Sequence, residues 1–449
     1  MVVLVSLHGW LVKVPLTPPR GMDDILPEEI PLHRSLVETV RLLFRLYGYK
    51  EVETPPVEYY ELFAVKSGQE ILSHMYVFED AHGRRLALRP EMTAPIARLV
   101  AGRLSRSPQP IRLGYVADCY RLDEPQWGRR RRFYHGGFEI FGSKEPAADA
   151  ECMVIFDDFL RRVGIKDYYF KVGHVGVQRA IMSAAGISDV DQDTILALLD
   201  KGRVEEAEES VRKLAKKGEG GTLFSEVATH PAGPAIATVD ELSVRLVGVE
   251  KAAKELGNLR KIIKLASQVI EPSKIIYYPG FARGLSYYTG FIFEAYGEGA
   301  GIALGGGGRY DGLVSLIGGP EVPGVGFAIG LTRIMQYLTD RLMVKPQPDS
   351  PLAFVVPLAE ESVEFAFKAA HEFRRAGVPT EFEPAAYSPS EAIRRAERRG
   401  ARFLVLVGRR EAERDVVSVR DLAGRFQEEW RVEEIYGRAE ALLSRTRVG

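Results

Sequence analysis

Apolar positions along the chain fall into two periods, and the switches between them outline the elements. Leu36, Val37, Val40, Leu43, Phe44 and Tyr47 recur every three or four residues, which predicts an amphipathic helix over Ser35 to Tyr47, stopped by Gly48. Lys50 to Thr54 reads as a short extended run closed by Pro55-Pro56. Met75 to Arg89 reads strand, turn, strand. Ile111 to Leu122 and Phe133 to Phe141 read as two longer strands joined by a charged loop. Strands joined by hairpins point to an antiparallel sheet and away from a nucleotide fold built of βαβ units. Near Ala185 the texture changes to charged, helix-forming sequence that runs to about Ala266. Strand character returns at Lys274 to Tyr278 and Phe291 to Tyr296, and a glycine-rich stretch, GGGGRYDG, follows at 305–312. Phe327 to Leu342 reads as helix.

Leu342 to Pro351 has linker composition. Beyond it a βαβαβ alternation predicts a separate α/β domain: a strand at LAFVVPL, a helix over Glu361 to Ala376, a strand near Thr380, a second helix, and a strand at ARFLVLV. The second helix carries a start signal, with Ser388 as cap, Pro389 in the first turn and Glu391 placed to close a capping box. The domain plan is therefore a core at 1–185 and 267–345, a helical insertion at 186–266, and a C-terminal domain at 350–449. The apolar start, Met1 to Val12, has no Lys or Arg before Lys13 and no small-residue cleavage site. It reads as a leading strand or extension and not as a signal peptide.

Composition narrows the classes. The 449 residues allow about three domains at roughly 150 residues each. Two cysteines, Cys119 and Cys152, form no CxxC pair, which argues against a disulfide scaffold or a zinc ribbon and for a reducing, cytoplasmic setting. No run of eighteen apolar residues is present, so no spanning helix and no membrane partner are expected. Sixty Lys and Arg against 61 Asp and Glu give a net charge of −1. This excludes a uniformly basic protein but leaves room for local contact with a polyanion.

No phosphate loop of the GxxxxGK type, no GxGxxG after a strand and no HExxH occur, and the eight histidines form no metal spacing. No metal ligand is assigned. Four segments carry candidate chemistry. In RLALRPEMTAPIARL, Arg89, Glu91 and Thr93 sit where a strand gives way to a helix. A carboxylate beside a hydroxyl there can hold an ammonium group, and equally can serve the helix N-terminus. CYRLDEPQWGRRRRFYHGGFEIFG places Arg121, Trp127, Arg129 to Arg132 and Phe133 around one loop, with His135 and Glu139 on the following strand. Guanidinium groups beside an aromatic face suit a triphosphate and a base, or RNA. FARGLSYYTGFIFEAY sets Arg283 before Tyr287-Tyr288. PGVGFAIGLTRIMQYL brings Arg333 to a helix start after a glycine-rich approach.

In this order the segments resemble histidyl-tRNA synthetase, a class II aminoacyl-tRNA synthetase family, from PRGMDDILPEE at 19–29 nearly to the end of the chain. ETPPVE with Pro55 resembles the first class motif, the arginine-rich hairpin the second, and GFAIGLTRI the third. RGLSYYTG and GGGGRYDGL resemble the two stretches peculiar to the histidine enzymes.

The resemblance implies an α+β catalytic core on a mainly antiparallel sheet, a helical insertion and a C-terminal α/β anticodon-binding domain. It implies activation of histidine with ATP, Mg²⁺ present, and transfer to the 3′ end of tRNA(His) by a cytoplasmic homodimer. Arg283, Arg121 and Arg333 would be the catalytic cations. Glu91, Thr93, His135, Glu139, Tyr287 and Tyr288 would bind histidine, and Arg121, Arg129, Phe133 and Arg333 would bind ATP. Arg130, Arg394, Arg398 and Arg402 would meet tRNA, the last three spaced by four on one helix and its exit. Asp123, His135, Ser286 and Thr332 stand where the family usually has Glu, Gln, Asp and Glu. The alternative is a catalytically silent paralogue of the same core, the regulatory subunit of ATP phosphoribosyltransferase.

Overall fold

The computed structural model describes residues 3–7, 10–65, 72–216, 220–283, 287–424 and 426–446. They divide into two units, Met1–Pro346 and Gln347–Gly449. Among the described residues, the larger unit is organised on a nine-stranded sheet. Its six central strands run antiparallel in the order Tyr168–His174, Phe291–Gly297, Gly305–Arg309, Gly324–Gly330, Arg132–Phe141, Ile111–Tyr120. Ile275–Tyr277 and Lys50–Glu51 add parallel partners at the flanks.

Register decides which side chains reach which face, because side chains alternate along a strand. Phe327 pairs with Phe138, so both point to the same side. There they stack with ring centroids 5.0 Å apart, and Phe156 of helix Pro146–Arg162 stacks on Phe327 at 5.5 Å. Phe44 of helix Ile30–Tyr47 meets Phe138 edge-on at 4.9 Å. Burying each such ring contributes roughly 1.5–3 kcal/mol. The neighbouring pair, Gly326 with Glu139, therefore faces the opposite side of the sheet. The expected helix over Ser35 to Tyr47 begins five residues earlier, at Ile30, and Gly48 ends it in the left-handed conformation at φ 72°.

The charged stretch after Ala185 is helical, as expected: Asp189–Asp200, Val204–Leu214, Gly220–Ala228, Ala235–Arg245 and Glu250–Ala266. The last of these packs on helices Pro146–Arg162 and Val175–Ala184, and the buried residues of the stretch belong to the same hydrophobic core as the sheet.

Three local expectations need correction. Phe327 to Gly330 is strand, not helix; the helix is Leu331–Asp340. Cross-strand pairing on both sides outweighs the helical spacing of the apolar residues there. The N-terminal segment is a two-stranded antiparallel hairpin, Val3–Leu7 with Trp10–Val14, and not a single strand. Glu391 does not close a capping box. Ser388 accepts the Glu391 N–H, but the Glu391 carboxylate is taken by Arg394, Arg395 and Arg398.

The smaller unit has a five-stranded sheet ordered Thr380–Phe382, Ala353–Pro357, Phe403–Val407, Val416–Asp421, Gln427–Arg431. The first three are parallel, as the βαβαβ pattern predicts, and the last two form an antiparallel hairpin that extends it. Alternation along the sheet serves two faces. Val355, Val405 and Phe373 lie in one core cluster, and Phe354, Leu404 and Ala396 in the other.

Candidate active site

The sheet face opposite the phenylalanine core carries the sequence-predicted site. Strand Arg85–Leu88 gives way to helix Thr93–Leu99, and Glu91 lies buried at the join. Its carboxylate accepts the backbone N–H of Thr93 at 2.6 Å and of Ala94 at 3.0 Å, so it serves the helix N-terminus. Burial raises its pKa while those two N–H donors lower it. The Thr93 hydroxyl turns the other way and donates to Glu139 Oε1 at 2.9 Å. Tyr310 donates to Glu139 Oε2. Burial pushes the Glu139 carboxyl up to about 8, against these two hydroxyls and with the help of the Glu91 charge.

Tyr287 and Tyr288, both buried, pack 4.9 Å apart, and Tyr287 meets the Tyr310 ring edge-on at 5.8 Å. Glu91, Thr93, Glu139, Tyr287, Tyr288 and Tyr310 thus form one cluster of carboxyl and hydroxyl groups walled by aromatic rings. Tyr310 was missed in the sequence. Its place in GGGGRYDG carried the signal, since it is the aromatic ring at the end of the glycine-rich strand Gly305–Arg309.

The glycines explain how the cluster fits. A Cβ on Gly326 would lie 1.6 Å from Glu139 Oε2. Along Gly305–Arg309, a Cβ on Gly306, which shares the face of Glu139, would lie 2.6 Å from Arg283 Nη1, whereas Gly307 pairs with Phe327 on the phenylalanine face. Gly326 and Gly306 thus leave room for the Glu139 carboxyl and the Arg283 guanidinium on one surface.

Beside the cluster opens a cleft of about 740 Å³ whose walls include Arg121, Arg129, Arg283, Arg333, Asp123 and Glu294. A smaller recess of about 120 Å³, lined by the same six residues together with Phe133 and His135, continues from it. Arg121 lies over the Phe133 ring at 5.3 Å and donates to Pro90 O at 2.8 Å. Arg333 donates to Gly128 O and to Ala303 O, both at 2.8 Å, fixing the loop that carries Arg129. Burial and then the charges of Arg121 and Arg129 lower its pKa to about 10. Arg283 donates to Phe293 O at 3.1 Å, stands 5.6 Å from the Tyr288 ring centroid, and has Glu294 at 3.7 Å. Burial opposes its charge, but Tyr288 and Glu294 hold its pKa above the ordinary arginine value. Among the described residues, Arg121, Arg129 and Arg333 have no ion-pair partner. In the cleft four arginines and two lysines stand with Asp123, Asp200 and Glu294, an excess of positive charge that suits an anion.

Four positions were expected from the sequence to depart from the family's usual residues. His135 is buried, and burial followed by the charges of Arg121, Arg333 and Arg283 lowers its pKa to about 3. Burial and the neighbouring guanidinium charges both favour its neutral form. The Thr332 hydroxyl accepts the Tyr134 N–H at 2.9 Å, which ties the Arg333 helix to the Arg132–Phe141 strand. Asp123 lines both cavities. Ser286 lies outside the described residues.

The residues expected at tRNA stand apart from this site or are paired. Arg130 is bound to Asp23 at 2.6 Å. In the smaller unit, Glu391 binds Arg394 at 2.5 Å and Arg398 at 3.3 Å, and Arg402 meets Asp421 at 3.3 Å.

Comparison with known proteins places this geometry. A family model described as "Histidyl-tRNA synthetase" matches residues 21–334, and one described as "Anticodon binding domain" matches 353–442. A curated histidine–tRNA ligase of Methanocaldococcus jannaschii is 35% identical over 90% of this chain and 94% of its own length. One of Pyrococcus horikoshii is 33% identical over 95% and 99%. Among solved structures, a histidyl-tRNA synthetase from Nostoc sp. superposes with a TM-score of 0.76 at 23% identity, over 96% of this chain and 100% of that one. A Bacillus halodurans protein titled as an ATP phosphoribosyltransferase regulatory subunit/histidyl-tRNA synthetase gives 0.73 at 24%, over 88% and 98%. At these identities the two structures speak for the fold, which is the class II synthetase type expected from the sequence. With the family model spanning most of the chain and relatives above 30% identity over nearly all of it, the chain belongs to the histidyl-tRNA synthetase family.

Proposed function

We propose that the protein is a histidine–tRNA ligase: it joins histidine to AMP at the expense of ATP, then passes the histidyl group to the 3′ end of tRNA(His). One observation carries the reading. A buried cluster of carboxyl and hydroxyl groups lies beside a cleft in which Arg121, Arg129 and Arg333 have no ion-pair partner among the described residues, and Arg283 both lines that cleft and stands against Tyr288 of the cluster. The regulatory-subunit alternative is no better supported, because the curated relatives are ligases and a silent paralogue has no use for unpaired cations in the cleft.

In the first step a histidine carboxylate oxygen bonds to the ATP α-phosphorus, and the bond from that phosphorus to the bridging oxygen of pyrophosphate breaks. The carboxylate is itself the nucleophile, so the protein has to position and to neutralise charge. Arg121 and Arg283 flank the α-phosphate, Arg129 and Arg333 take the outer phosphates, and Phe133 offers a face to adenine. Glu91 and Thr93 hold the α-ammonium, with neutral His135 beside the substrate carboxylate. Glu139 and Tyr288 hydrogen-bond the imidazole, with Tyr287 alongside. A side chain lacking both ring nitrogens leaves these buried groups unpaired, which supplies selectivity.

Mg²⁺ fits the site as an ion carried on the nucleotide. The cleft offers Asp123 and Glu294, one or two carboxylates being what Mg²⁺ on phosphates requires, and the ion would add positive charge at the phosphates. No group of three His, Cys, Asp or Glu able to hold a metal occurs among the described residues.

In the second step the terminal ribose oxygen bonds to the carbonyl carbon, and AMP leaves. The unit that matches the anticodon-binding model, including the Arg394, Arg398 and Arg402 face, engages the far end of the tRNA, and Arg130 meets tRNA near the cleft. Residues 186–266 act as the insertion within the core. The working form is a cytoplasmic homodimer built around Pro55; no helix of the described residues is long and apolar enough to cross a membrane. The test is charging of tRNA(His) with labelled histidine. Acid-precipitable label that requires ATP and an intact 3′ ribose supports the reading, and none above the enzyme-free blank refutes it.

A further inference from the structure

The large cleft reaches past the nucleotide recess to a second wall that the activation chemistry leaves unused. Lys171 stands on Tyr168–His174, directly across the ladder from Glu294. It lines the large cleft but not the recess that holds Phe133 and His135. Its ammonium is half-buried and lies over the Phe281 ring at 4.2 Å and the Tyr278 ring at 5.0 Å. Among the described residues it has no hydrogen bond and no ion pair. Glu294 and Asp200 act on it only at longer range, and burial lowers its pKa. A half-buried ammonium held only against aromatic faces is costly to keep in a structural role. Lys201 and Tyr278 line the same cleft, so the wall combines ammonium groups with an aromatic surface, with Asp200 and Glu294 among them. That is the combination that binds single-stranded nucleic acid.

We propose that Lys171 positions the 3′-terminal nucleotide of the tRNA for the transfer step, its ammonium on the last phosphodiester and the Tyr278 ring beside the terminal base. The assignment rests on the ligase reading and extends it to the second substrate. The rival source of the same phosphate chemistry is the outgoing pyrophosphate, and the two half-reactions separate them.

Lys171→Met keeps the aliphatic stem and removes the charge; Lys171→Arg keeps the charge. Each variant is measured for histidine-dependent ATP–pyrophosphate exchange and for single-turnover transfer from preformed adenylate to tRNA(His). The expected result is exchange within about twofold of wild type in both, which also reports that the core is folded. Transfer is expected to fall about tenfold or more in Lys171→Met and to be largely restored in Lys171→Arg. Unchanged transfer in Lys171→Met overturns the proposal. So does an equal fall in both half-reactions with a raised KM for pyrophosphate, which would assign Lys171 to the nucleotide. If the wild-type protein gives no exchange at all, the ligase reading itself fails, and that outcome is distinct from either.

Discussion

Glu139 sits in the fold as an acid that resists ionisation, and this has a measurable cost. Its pKa of about 8 stands above the ordinary carboxyl value of 4.5 because burial penalises the anion. The folded state therefore binds more protons than the unfolded state between those two values. Stability contributed by the neutral carboxyl is fully present below pH 4.5 and is lost as pH rises through 8. At about 1.4 kcal/mol per pKa unit, the loss has an upper bound of about 5 kcal/mol, reduced by whatever relaxation the Glu91 pair allows. Glu139→Gln removes the ionisation and keeps the shape. The Thr93 and Tyr310 hydroxyls can each donate or accept, so an amide can still be satisfied there. The assay is urea unfolding of the ligand-free protein in a Trp430→Phe background, where the remaining tryptophans, Trp10 and Trp127, belong to the larger unit. Relative to wild type, the Gln variant is expected to gain about 2 kcal/mol or more between pH 5.5 and pH 8.5. A difference that does not change with pH refutes the claim that burial holds Glu139 protonated.

Three further outcomes follow from the same geometry. Arg283→Ala is expected to slow pyrophosphate exchange at saturating ATP and histidine by about 10²–10³-fold, the usual cost of losing one preorganised charge donor at the reacting centre; a near wild-type rate constant would remove Arg283 from the chemistry. Gly326→Ala puts a methyl group 1.6 Å from Glu139 Oε2, so it should raise the KM for histidine at least tenfold and destabilise the core by about 1–3 kcal/mol. An unchanged KM would mean that Glu139 does not contact the imidazole. Neutralising Arg394, Arg398 and Arg402 together should weaken tRNA binding and leave exchange intact, whereas Glu391→Gln, which releases Arg394 and Arg398, should strengthen it. Opposite signs in either variant would assign these arginines a purely structural role.

What was legible in the sequence follows from how each signal is encoded. The long antiparallel strands and the Ile30–Tyr47 helix announce themselves because one face of each is apolar at the right period. Strand Gly305–Arg309 does not, because glycine has no side chain to show a period and is depleted in ordinary strands. It is a strand because its neighbours approach too closely for a Cβ. The arginines were readable as residue types, but their availability was not. Arg121 and Arg333 are bound only to backbone carbonyls, whereas Arg309, equally prominent in GGGGRYDG, is spent in a buried bridge to Asp149. Nothing local to either residue announces that pairing across 160 positions. Glu294 was overlooked for the same reason: its strand reads as an aromatic-rich core element, and only the sheet register sets it between Lys171 and Gly306, facing the cleft.

The most direct test of the account is ATP–pyrophosphate exchange by the purified protein, run with each of the twenty amino acids in turn. Exchange that requires histidine, with every other amino acid at the background level, is the predicted result. Exchange driven by another amino acid, or no exchange with histidine present, would contradict the assignment of the buried Glu139–Tyr288 cluster to an imidazole and of the arginine cleft to ATP.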